Sequence, residues 1–141
     1  MADKTSRDDW RQTEAPTLAA IERLATYAFE QLPDEFRRLC EGLVIQVVDF
    51  PDEETLDAMD AKSEFELLGL FRGAGLAHRG ASAQTGEMPN MIWLYRRPLL
   101  DFWCEGEDTL GAVVTHVLVH EIGHHFGLSD DDMQDIEEAA A

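Results

Sequence analysis

From Leu18 onward, apolar residues recur at helical spacing: Leu18, Ile21, Ala25, Ala28 and Leu32, with Leu24 and Phe29 widening the stripe. That period predicts an amphipathic helix from Pro16 to Gln31, stopped by Pro33. The rhythm then shortens. Leu43 to Asp49 is a β-branched, apolar run bounded by Gly42 and Pro51, which predicts a buried strand. Glu53 to Met59 reads as a short acidic helix, Leu67 to Phe71 as a second strand, and Met91 to Tyr95 as a third. Pro98 begins a short helix that ends near Trp103. Gly80 to Asn90, rich in small and polar residues, is a loop.

The strongest pattern lies at the C-terminal end. Asp108 is a good N-cap, and a helix is expected from Thr109 to Phe126. Leu110, Val114, Val117, Leu118, Val119, Ile122 and Phe126 cover most of its circumference, so it is buried. At 100° per residue, His116, His120 and His124 share one narrow sector with Gly127 in line. The helix is therefore closed to solvent except where histidines emerge. Ser129 can cap a last helix, in which Met133 and Ile136 point inward. Strands first and a buried helix beneath them make a small α+β domain. Residues 15–141 form that single domain, and residues 1–14, polar and mixed in charge, form a flexible N-terminal arm.

The buried helix carries His120-Glu121-Ile122-Gly123-His124. Histidines four apart stack one turn above another, so both imidazoles can reach one metal ion. Glu121, beside the first of them, is placed to act on a water held by that metal. An unpaired carboxylate on so apolar a helix would be costly, which favours a polar site opposite it. Gly127 follows three residues after His124 and can turn the chain through a left-handed residue. A chain that folds back there brings Asp130 toward the metal. Asp131 or a water are the competing occupants of that third position, and acidic residues in a first helical turn also suit the helix dipole. His116 and His124 lie about 12 Å apart along the axis, too far to share one ion on a straight helix. His116 therefore lines the cleft or hydrogen-bonds to a ligand. His125 points about 100° from His124 and has a structural role, and His78 is a surface residue.

HExxHxxGxx followed by a metal-binding residue is the extended signature of metzincin-type zincins, and its aspartate form resembles that of the small snapalysin-type proteases. The wider chain resembles the bacterial family of minimal zincin-like metallopeptidases. The landmarks are Leu32-Pro33-Asp34-Glu35-Phe36, the strand Val44 to Asp49, Glu66-Leu67-Leu68-Gly69-Leu70-Phe71, Pro89-Asn90-Met91-Ile92-Trp93-Leu94-Tyr95-Arg96-Arg97, and the motif itself. They span residues 15–137. Ala74-Gly75-Leu76 departs from the pattern, which has a proline at position 75. The resemblance implies a zincin-like fold and a Zn²⁺ cofactor held by His120, His124 and Asp130. It also implies Glu121 as general base and a peptide or protein substrate. By the same analogy, the strand Met91 to Tyr95 pairs with an extended peptide. A metal-binding interaction module with this fold and no significant turnover is the alternative.

Charge narrows the partners. Lys and Arg number 11 against 29 Asp and Glu, a net charge of −18. Such a surface repels phosphate backbones and anionic membranes, so no nucleic acid and no membrane are expected as partners. It argues, with Glu121, against a metal-dependent nuclease. No apolar run approaches the roughly 20 residues that span a bilayer, and the N-terminus has no signal-peptide core. A cytoplasmic location is expected. Cys40 and Cys104 have neither disulfide-framework nor zinc-finger spacing and are expected to be reduced.

Overall fold

The computed structural model describes residues 10–73 and 89–141. Most of the arm and of the loop after Gly73 lies outside them, including His78, the Ala74-Gly75-Leu76 departure and all but the end of the Gly80 to Asn90 loop. Trp10–Gln12 form a single 3-10 turn.

Helix α1 is Leu18–Glu30. It starts later than Pro16 because the Thr17 hydroxyl accepts from Ala20 N and closes the first turn there. Ile21, Ala25 and Ala28 are its buried face, continued by Leu32. Pro33 ends this helix but also opens α2, Asp34–Arg37, since a missing N–H costs nothing at a helix start. A 3-10 turn, Arg38–Cys40, follows. Phe36 and Cys40 are buried there, a segment for which the periodicity predicted no helix.

Strands β1 (Val44–Val48), β2 (Gly69–Arg72) and β3 (Met91–Tyr95) form one sheet in the order β1-β3-β2. β3 pairs in parallel with β1 and antiparallel with β2, Leu94 facing both Val47 and Gly69. This corrects two expectations. The buried strand is β3, with Ile92 and Leu94 fully covered, whereas β1 sits at an edge with Val44 exposed. And β3 cannot take up a peptide by strand addition, because both of its edges are already hydrogen-bonded. Helix α3, Glu53–Ala58, is capped by the Asp52 carboxylate accepting from Thr55 N. Helix α4, Arg96–Glu105, begins directly after β3, with Pro98 in its first turn. Arg96 fastens this junction, its Nε donating to Pro16 O and its Nη1 to Asp49 Oδ1.

Helix α5 is Leu110–His125 and helix α6 is Asp130–Ala140. The cap of α5 is Thr109 and not Asp108: its hydroxyl accepts from Ala112 N. Adjacent Asp and Thr are both good caps, and the chain's entry direction decided between them. α5 packs on α1 and β2, and α1 packs on β1, so both helices lie against the sheet. Val114, Leu118, Val119 and Ile122 are fully buried, as the apolar circumference of α5 required. The architecture is α+β. Among the described residues no helix is long and apolar enough to cross a membrane.

Candidate metal centre

The end of α5 determines where the following residues go. Gly127 adopts φ 77°, its N–H donates to His124 O, and Leu128 N donates to Gly123 O. These two bonds satisfy the last carbonyls of α5 in a Schellman arrangement, which needs a left-handed residue at Gly127. The Ser129 hydroxyl then accepts from Asp132 N and starts α6. α6 lies close against α5 at Gly123: a Cβ there would fall 2.5 Å from Met133 Sδ. Met133 is fully buried, and Ile136 and Ala140 pack against the core beside it, so α6 is held along one face.

His116, His120 and His124 rise one turn apart on the side of α5 that its apolar residues leave free. The His116 and His120 rings have centroids 3.9 Å apart and are tilted by 33°. Those of His120 and His124 are 5.6 Å apart and nearly perpendicular, at 82°. Glu137 of α6 meets the upper pair. Its Oε1 lies 3.0 Å from His116 Nδ1 and its Oε2 2.9 Å from His120 Nε2, each ring N–H donating to a carboxylate oxygen. Among the described residues, His116, His120 and Glu137 are the group of three such side chains whose ligand atoms converge, all within 4.8 Å of one another.

Glu121 is partly buried next to this face. Burial pushes its carboxyl up, against a smaller downward pull from His124. The Tyr95 phenol is pushed up to about 12, chiefly by burial and then by the Asp52 carboxylate, with Glu121 adding to it. Tyr95 lines a cleft of about 300 Å³ on the other face of the sheet with Arg72, Trp93 and Asp52. The His125 ring stacks edge-on against Phe71 at 4.9 Å, the structural place expected for it.

The structure thus puts His120 and His124 one turn apart with Glu121 beside them. Asp130 stands exposed as the first residue of α6, outside the convergent group, with Asp131 and Asp132 also exposed in that first turn. The residue that sequence reasoning passed over is Glu137. Its signal was present: Met133, Ile136, Glu137 and Ala140 share one stripe of α6, so an acidic residue interrupts the inward face. The donor set suits zinc, since imidazole and carboxylate are its ordinary ligands. The three donors gathered within 4.8 Å are His116, His120 and Glu137, and neither His124 nor Asp130 is among them.

The sequence model of the zincin-like metallopeptidases matches residues 40–140, and the chain belongs to that family. A solved structure of a conserved hypothetical protein from Thermo thermophilus is similar, with TM-score 0.52 and 26% identity. The likeness covers 78% of this chain and 94% of that one. No curated protein matches the chain.

Proposed function

We propose that the protein is a zinc-dependent peptidase in which His120 and His124 hold the metal and Glu121 is the general base. A carboxylate of α6 completes the donor set: Asp130 is the one the motif supplies, Glu137 the one that stands against His120. Bound zinc would supply Lewis acidity toward the scissile carbonyl and lower the pKa of a water.

Glu121 accepts the proton of the attacking water and passes it to the leaving amine, as base and then acid. The raised carboxyl suits this work, because a carboxylate that holds its proton more tightly is a stronger acceptor. The apolar body of α5 fixes the backbone on which Glu121 and both histidines sit, and it keeps bulk water from that side. β2, which packs on α5 and lies at the edge of the described sheet, is the strand beside the site that an extended peptide can join. The observation that carries this reading is the histidine pair with a partly buried glutamate between its members, in a chain of this family.

The test is digestion of an unbiased peptide library by zinc-loaded wild type and Glu121→Gln. Removing one acid–base group should lower cleavage by about 10²–10⁴-fold while zinc stays bound. A zinc-loaded wild type that cuts no peptide, or a Glu121→Gln variant that cuts as fast, would leave a metal-binding module in place of the enzyme.

A further inference from the structure

We propose that His116, His120 and Glu137 form a second position for a divalent transition-metal ion, one helical turn from the position that the motif supplies. His120 belongs to both positions, so an ion in one excludes an ion from the other. The motif position keeps His120, His124 and Asp130. The exclusion rests on that reading; the second position does not.

The geometry begins with the way side chains leave a helix. They lean toward the N-terminus, so the far nitrogen of His120 rises toward the near nitrogen of His116, one turn above. The rings of this pair are the close ones, with centroids 3.9 Å apart against 5.6 Å for His120 and His124. Glu137 meets the two nitrogens from α6 with one oxygen each, 2.9 Å from His120 Nε2 and 3.0 Å from His116 Nδ1. The ligand atoms of the three residues all lie within 4.8 Å of one another. Donors about 2.0–2.1 Å from a tetrahedral zinc stand about 3.3 Å apart. The two short contacts need open by only a few tenths of an ångström, while the rings close the widest separation around the ion.

Chemistry and charge agree with this placement. Imidazole and carboxylate are ordinary ligands of zinc and its first-row neighbours. Glu137 is partly buried against α5, and its ion-pair partners among the described residues are the same two imidazoles. A divalent ion between them supplies the counter-charge directly. The group is also reachable: a cleft of about 640 Å³ between α1, α5 and α6, lined by Thr115 and Gln134, extends to Glu137. The consequence is control by position. An ion held by His116, His120 and Glu137 leaves His124 and Asp130 without His120. The protein then retains its metal in a form that lacks half of the histidine pair on which hydrolysis depends.

The experiment titrates metal-free protein with zinc against a chelating indicator, which reads both stoichiometry and affinity. Wild type should take up one ion, because the two positions share His120. The double variant His124→Ala/Asp130→Asn dismantles the motif position and should still bind one. Adding His116→Gln or Glu137→Gln to it removes a ligand. The loss should exceed the roughly 10–100-fold that removal of a ligand's hydrogen-bond partner costs. Adding Glu138→Gln instead should change nothing. Metal-free melting curves establish that the variants fold, and His116→Gln, at an exposed residue, decides alone if Glu137→Gln melts well below wild type. A double variant that binds no zinc, or binds it equally well without His116 and Glu137, overturns the second position and leaves the motif reading standing. Two ions on wild type overturn the exclusion. A wild type that takes up no zinc overturns both readings.

Discussion

The two sides of helix α5 are built from one continuous stretch of sequence and do opposite work. The side facing α1 and the sheet carries Val114, Leu118, Val119 and Ile122, all fully buried. The side facing α6 carries His116 and His120, the first exposed and the second half-buried, both against Glu137. The apolar side supplies burial energy and a close-packed, rigid support. The polar side supplies little stability, since half-exposed ion pairs contribute on the order of 0–1 kcal/mol. It concentrates ligands instead. The lesson is a division of labour: the histidines hold their spacing because residues on the opposite side of the helix cannot move.

Truncating the apolar side should therefore cost the most. Leu118→Ala is expected to destabilise the fold by about 2–5 kcal/mol, through lost burial and the cavity left behind. Denaturant unfolding measures it, and zinc affinity of the fraction still folded should stay within a few-fold of wild type. A loss below about 1 kcal/mol would mean that α5 is not anchored by this side at all.

Gly123 lies where the two sides meet, under Met133, and sharpens the comparison. Gly123→Ala should cost about 1–3 kcal/mol by overpacking, because the added methyl must displace Met133. It should also lower zinc affinity, because α6 moves and the carboxylate that completes the donor set moves with it. Unchanged affinity in a destabilised protein would separate the position of α6 from the metal centre.

Ser129→Ala removes the hydroxyl that accepts from Asp132 N, at a cost of about 1 kcal/mol. The effect should appear as fraying of the first turn of α6, read by faster amide exchange at Asp132. Exchange rates equal to wild type would show that the Gly127 turn alone starts the helix.

The smallest effect concerns pH. Burial in the apolar core pushes the Cys40 thiol from 9.0 up to about 11. A group whose pKa is raised on folding adds stability that is complete below its unfolded value and is lost as pH rises through the folded one. Stability should thus fall between about pH 9 and 11, and Cys40→Ala should flatten that slope. Tyr95, raised from 10.0 to about 12, extends the decline upward and should remain in the variant. An equal slope with and without Cys40 would assign the whole decline to other groups.

Much of this is legible along the chain because it is local. The period of α5, the glycine that ends it and the serine that starts α6 are each decided within a few residues. The three strands announce themselves by composition, within two residues of their observed bounds. Which strand is buried does not, since β1 and β3 are both predominantly apolar and only the order of the sheet separates edge from centre. Helix α2 escapes the periodicity because Pro33 reads as a stop, when the same proline can begin the next turn.

The candidate site divides along the same line. Sequence alone determined that His120 and His124 share a face with Glu121 next to them, because 3.6 residues per turn allows nothing else on a helix. It also determined that the chain must turn at Gly127, where the left-handed conformation excludes most side chains. Only tertiary structure decided which carboxylate of α6 meets His116 and His120. Glu137 meets His120 across 17 residues and His116 across 21. That meeting depends on the angle and depth at which α6 lies on α5, set by the missing side chain at Gly123 and the bulk of Met133. A motif records neighbours along the chain; the donor opposite a helix is chosen by packing.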